Sequence, residues 1–142
     1  MSDSIIHSNN APEPVGEYPH ARRVGQFLFL SGVGSRIPES NEIPGGPIYD
    51  SEGTPLPYDV AAQTEQVIQN IQAVLSSCNL TLEDVVDVTA FLIDMERDFE
   101  SYNKVYAQHF KKFANSLKHT FETEKHDEDR IIIPLYYEKK LI

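Results

Sequence analysis

The chain has 142 residues, with 22 acidic against 12 basic side chains and a formal net charge of −10. That length predicts one domain burying roughly 68–70% of the unfolded chain's surface. The charge argues against a nucleic-acid role, which needs a concentrated basic surface, and equally against docking on anionic membranes. No apolar run reaches the ~18 residues of a spanning helix, and Met1–Asn10 lacks the apolar stretch of a signal peptide. Cys78 is the single cysteine, so no intrachain disulfide or thiolate zinc site forms, and a reducing, cytoplasmic setting fits.

Residues 1–13 are polar and read as a flexible N-terminal arm. Residues 14–142 read as a single domain. Pro12, Pro14, Gly16 and Pro19 exclude a helix from the next stretch. Gln26–Ser31 carries four consecutive apolar residues and is expected as a strand covered on both faces. Arg22, Arg23, Val24 and Gly25 are expected at the turn of a hairpin whose other strand starts near Tyr18. Residues 35–58 hold five prolines and three glycines. A stretch that long without regular structure is either a binding loop or a tolerated surface insertion.

Asp59 is expected to cap a helix with an apolar face of Val60, Thr64, Val67, Ile71, Val74 and Cys78. Gln63, Gln66, Gln69 and Gln72 fill much of its other side. Asn79 suits a left-handed helix end closed by Leu80, and Thr81–Asp84 has the form of a capping box. Val85–Ile93 is β-branched and apolar enough for a buried strand. Asp98 is the expected cap of a second helix whose face is Phe99, Tyr102, Tyr106, His109 or Phe110, and Phe113. His119–Lys125 alternates moderately, and Ile131–Ile133 with Leu135–Tyr137 supplies further strand material.

Two helices on one face of a mixed sheet make an α+β sandwich. The other face has no helix left to cover it, so a partner subunit is the expected cover. Familiar catalytic patterns are missing: no phosphate loop, no Gly-x-Ser-x-Gly elbow and no His-Glu-x-x-His helix. The five histidines lack ligand spacing. His119 and His126 beside Asp127 and Glu128 read as a solvated turn rather than a metal site. Cys78 reads as a packed thiol.

The motif Ala11-Pro-x-Pro-Val-Gly-x-Tyr-Pro-His-Ala21 is followed by Phe29-Leu-Ser-Gly32, Gln63-Thr64, Asn70-Ile71, Asp84-Val-Val-Asp-Val and Phe91-Leu-Ile-Asp-Met95. Asp98-Phe-x-x-Tyr-Asn-Lys-Val-Tyr106 completes the series. Together, over about two-thirds of the chain, these resemble the Rid/YjgF family of enamine and imine deaminases. Gly45-Gly-Pro-Ile-Tyr-Asp50 and Tyr58-Asp-Val60 look like its 2-aminomuconate deaminase branch. The resemblance implies a chorismate-mutase-like fold, a homotrimer with clefts between subunits, and water-dependent release of ammonia with neither metal nor organic cofactor. It places Tyr18 at the active-site tyrosine and Asn103 at the helix asparagine of the family. Ser31 and Gly32 are candidate anion-binding backbone donors at a strand end. A dicarboxylate substrate requires a second cation, for which Arg36 is the candidate.

From residue 114 to 142 the chain departs from the family pattern. Asn115–Phe121 lacks the family's proline and arginine. Lys118 is the nearest cation to the expected place, without the planar fork that grips carboxylates bidentately. Glu138 occupies a plausible final strand for the water-positioning glutamate, and Arg130 is a more distant alternative cation. Three accounts stay open: an active enzyme with a rebuilt anion site, a catalytically silent trimer that binds small carboxylates or protein partners, and a shifted reading frame beyond Phe113.

Overall fold

The computed structural model describes residues 4–113 together with the backbone of residues 118–123 and 132–133. In chain order the elements are β1 (Ser4–Ile6), β2 (Ala21–Val24), β3 (Phe27–Leu30), β4 (Val33–Gly34), α1 (Val60–Ser76), β5 (Asp87–Leu92), α2 (Met95–Phe110), β6 (Lys118–Thr123) and β7 (Ile132–Ile133). The first three strands pair antiparallel in the order β1-β2-β3. β4 pairs antiparallel with β7, and β5 runs parallel to β6. The helices lie against each other, α1 also against β4 and α2 against β5, which is the expected α+β arrangement.

Alternation sets the sheet faces, because successive strand side chains point to opposite sides. Leu28 and Leu30 point inward and are buried, as are Val88, Ala90 and Leu92 of β5. They meet Val67, Ile71, Val74 and Leu75 of α1 and Phe110 of α2 in one core. Phe29 points the other way and is 39% exposed. β3 is therefore covered on one face within the chain, not on two.

Local chemistry explains most boundaries. The Asp59 carboxylate accepts from the Ala62 N–H at 3.0 Å and caps α1. Asn79 takes φ +58°, and Leu80 closes back on the Leu75 carbonyl at 2.9 Å. The Thr81–Asp84 capping box forms, starting one short 3-10 turn. His109 Nε2 meets Glu65 Oε2 at 2.8 Å and ties α2 to α1.

Four expectations are corrected. The N-terminal segment is not frayed throughout: Ser4–Ile6 pairs with β2, and Ser8 and Ala11 are buried. Arg22 and Arg23 lie inside β2, and the hairpin turns at Gly25, whose φ of +57° suits glycine. The second helix is capped by Asp94, whose carboxylate accepts from the Arg97 N–H at 3.0 Å. Asp98 sits inside α2 and is buried; its carboxylate accepts from the Tyr58 hydroxyl and, at 2.8 Å, from Arg97 Nε. Two aspartates four apart both satisfy a cap pattern, and tertiary partners decide between them. Phe99, expected in the apolar face of α2, is 36% exposed, and Val105 is buried instead.

Residues 35–58 form no regular element beyond the single Tyr49–Pro55 bridge, yet they are tied down. Ile48 is buried, and Arg97 stacks over the Tyr58 ring at 3.8 Å. Gly45 has φ +73°, and a Cβ there would stand 2.6 Å from the Asp59 carbonyl oxygen. Gly53 has φ +80° with open space around it. Gly53→Ala should therefore cost about 1–2 kcal/mol from left-handed strain alone. Gly45→Ala should cost more, because backbone must also move; urea denaturation of the two variants compares them.

Burial raises the Asp98 carboxyl above its ordinary 3.8, against the pull of Arg97. The folded state thus takes up the proton first, so this group's contribution is complete below 3.8 and is lost as pH rises through the raised value. Denaturation at stepped pH should show wild type gaining on Asp98→Asn as pH falls from neutral toward 3.8.

Candidate functional site

A cleft of about 80 Å³ opens between the 11–20 segment, the end of β3 and the start of β4. Ala11, Pro12, Pro14, Val15, Tyr18 and His20 form one wall, and Ser31, Gly32, Val33, Gly34 and Arg36 the other. Val74 of α1 contributes from the core side. Four residues singled out from sequence, Tyr18, Ser31, Gly32 and Arg36, therefore share one cleft. Asn103 is exposed on α2 and does not line it. The Lys118 backbone begins β6 in register with Asp87, while its side chain lies outside the described residues. Glu138 and Arg130 also lie outside them.

Tyr18 is 41% exposed, and its hydroxyl has no hydrogen bond among the described residues. Its N–H donates to the Gly16 carbonyl at 2.9 Å, folding the ring back over Gly16. A Cβ on Gly16 would meet the ring's Cε1 at 3.0 Å. Glycine relieves a close approach of an aromatic ring here rather than serving an unusual backbone angle.

Ser31 behaves differently from the donor that its position suggests. Its Oγ–H donates to the Pro19 carbonyl at 2.7 Å and its N–H to the His20 carbonyl at 3.0 Å. Both donors hold the opposite wall. The Gly32 N–H has no partner among the described residues and remains the candidate backbone donor. Arg36 donates from Nη1 to Asn41 Oδ1 at 2.8 Å and from Nη2 to the Glu13 carbonyl. Its charge borders the cleft, braced between the two proline-rich segments.

Two residues of this assembly were missed in the sequence. Gln63 falls on the side of α1 expected to be polar and Asn70 carries no expected role there, yet both are fully buried. Asn70 Nδ2 donates to the carbonyls of Gly34 and Arg36, each at 2.9 Å, and Gln66 Nε2 donates to Asn70 Oδ1 at 3.0 Å. Gln63 Nε2 donates to the Gly46 carbonyl at 2.9 Å. The available signal was spacing: 63, 67, 70 and 74 share one helical face with two valines. Cys78 is half-buried, and burial pushes its thiol above the ordinary range despite the nearby Arg23, as suits a packed thiol. Among the described residues no three His, Cys, Asp or Glu side chains converge as a metal site.

The fold that carries this cleft is shared with known proteins. The family model described as endoribonuclease L-PSP matches residues 8–124. The chain belongs to this family, the Rid/YjgF/RutC group. A RutC family protein of Pyrococcus horikoshii is 40% identical over 106 residues, 75% of this chain and 74% of its own. Another, from Synechocystis, is 33% identical over 132 residues, covering 93% of this chain and 92% of its own. Among solved structures, E. coli TdcF with bound serine superposes with a TM-score of 0.73 at 25% identity, over 96% of this chain and 95% of that one. RidA from an Antarctic Psychrobacter has a TM-score of 0.78 at 24% identity, over 97% and 99%, and shares the fold.

The close Gly16–Tyr18 approach has a direct consequence. Gly16→Ala should push the Tyr18 ring aside by a few tenths of an ångström while changing stability by less than about 0.5 kcal/mol, because the position is exposed. Tyr18 ring resonances, compared with urea midpoints, separate the two effects.

Proposed function

We propose that this Rid-family chain is a deaminase that converts an enamine or imine acid and water into the 2-oxo acid and ammonia. The observation that carries the reading is the meeting of an unbonded Tyr18 hydroxyl, the Gly32 N–H and the Arg36 charge in one largely apolar cleft. Members of this family often have imine or enamine deaminase activity. The finer assignment, 2-aminomuconate as substrate, rests on the Gly45–Asp50 and Tyr58–Val60 segments of the sequence. The relatives from Pyrococcus and Psychrobacter carry RutC and Rid names rather than that one.

The chemistry asks little of the protein beyond placement. An enamine acid takes a proton on carbon to become the imine, whose carbon is open to water. Addition gives a carbinolamine. Its collapse expels ammonia and leaves the ketone. Arg36 and the Gly32 N–H hold the carboxylate by charge and hydrogen bond. The Tyr18 hydroxyl orients the attacking water and exchanges protons with it. Asn103, Lys118 and Glu138 enter this proposal as contributions from a neighbouring subunit or from the chain's later strands. The word endoribonuclease in the family's description is not carried over, because a charge of −10 opposes RNA. A cytoplasmic setting completes the reading.

The assembly we propose is a homotrimer. On the face of β1-β2-β3 turned from the core, Ile5 is 65%, Val24 40% and Phe29 39% exposed. Register aligns Ile5 with Arg22 and Arg22 with Phe29, so the row crosses all three strands. A second copy covers such a face most economically. A second reading, a silent trimer that binds small carboxylates, is favoured by the engagement of both Ser31 donors within the chain.

Ammonia release from freshly generated 2-aminomuconate, and from imino acids made in place by an amino-acid oxidase, separates the two readings. Release above the spontaneous rate is expected, lowered roughly 100-fold by Tyr18→Phe; none above background rejects the enzyme. Phe29→Asp should convert the trimer to monomer in sedimentation or light scattering. A trimer that survives the change places the interface elsewhere.

A further inference from the structure

We infer that His20 is a positioning residue of the cleft, acting as a neutral imidazole fixed in its Nε2–H tautomer. The ring is 8% exposed, and both nitrogens are engaged. Nδ1 receives the Ser8 backbone N–H at 3.0 Å. A backbone N–H can only donate, so Nδ1 carries a lone pair there and the ring proton is on Nε2. That proton goes to the Pro12 carbonyl at 2.8 Å. One side chain thus bridges two points of the 8–12 segment, and Pro12 is part of the cleft wall.

The bridge extends in both directions. Outward from the ring, Ser8 Oγ receives the Ser77 hydroxyl at 2.9 Å just beyond the end of α1. On the backbone side, the Pro19 and His20 carbonyls are held by Ser31 Oγ and Ser31 N–H. Tyr18 directly precedes that doubly held pair. The placement of its hydroxyl therefore depends on Ser31 behind it and on the His20 ring against the 8–12 wall. His20 touches no reacting atom in this account and acts through Pro12 and Tyr18.

Protonating the ring removes the lone pair that receives the Ser8 N–H and sets two donors against each other. The titratable and charged groups around it are the His7 ring, edge-on at 6.2 Å between centroids, Tyr18 on the same wall of the cleft and Arg36 on the opposite one. Glutamine supplies one acceptor and one donor and can replace both bonds. Leucine replaces neither.

The inference rests on the deaminase reading only for its catalytic consequence, so the decisive measurements are made on the protein without substrate. Imidazole nitrogen NMR of the wild type should show His20 with its proton on Nε2 at neutral pH. Acidification that adds the second proton should shift the Ser8 amide in step with the ring. His20→Leu should move the Ala11–Glu13 and Tyr18 resonances, and His20→Gln should restore them. In the ammonia assay His20→Leu should lose at least tenfold in kcat/KM and His20→Gln less than threefold. A proton on Nδ1, a Ser8 amide indifferent to ring protonation, or an unmoved Tyr18 in the leucine variant overturns the inference. If His20→Leu fails to fold, the wild-type tautomer and the glutamine variant decide it. An ammonia assay silent in the wild type rejects the deaminase reading alone, and the NMR outcome still judges His20.

Discussion

Helix α1 buries one face on which carboxamides stand among aliphatic side chains, and an amide taken out of water must find partners. Asn70 finds them in the carbonyls of Gly34 and Arg36, and Gln63 in that of Gly46. Both loops are thereby held at hydrogen-bond distance from a rigid element. Without those bonds the segment leaving β4 has little regular structure to hold it, since β4 is only two residues long. The cleft inherits its second wall from this requirement. Packing of Val67, Ile71 and Val74 sets where the helix lies, and the buried amides set where the neighbouring chain must go.

The same logic governs the first wall. Ser31 and His20 each use polar atoms on backbone groups of the 8–20 region rather than exposing them to a ligand. Polar residues around the cleft thus divide into those that build it and those left open. Tyr18 and Gly32 belong to the second kind among the described residues. Arg36 stands between them, charged and bordering the cleft yet braced by Glu13 and Asn41.

Much of this was legible in the sequence because it follows from local rules. The Asp59 cap, the left-handed Asn79 and the Thr81–Asp84 box each need only a few neighbouring residues. The motifs around Tyr18 and Ser31 brought the cleft residues together by resemblance before any geometry. What escaped depends on distant partners. Asp98 resembles a helix cap until Tyr58 and Arg97 are seen beside it. Gln63 resembles a solvated glutamine until the Gly46 carbonyl arrives from another loop. Ser4–Ile6 is too short, within a polar stretch, to declare itself a strand, and its pairing with β2 makes it one. Asn103 matched a family pattern, but its place on α2 sets it apart from the cleft within one chain.

The pairing of β4 and β5 with strands from much later in the chain also orders events in time. Gly34 waits for Ile132, and Leu92 for Thr123, before their ladders close. At ribosomal speeds of about 5–20 residues per second, the first of these gaps lasts on the order of ten seconds. Until then these strands lack the partners of their folded ladders, the condition that invites wrong ones. The chain's vulnerable moment comes at birth, when a chaperone has most to contribute.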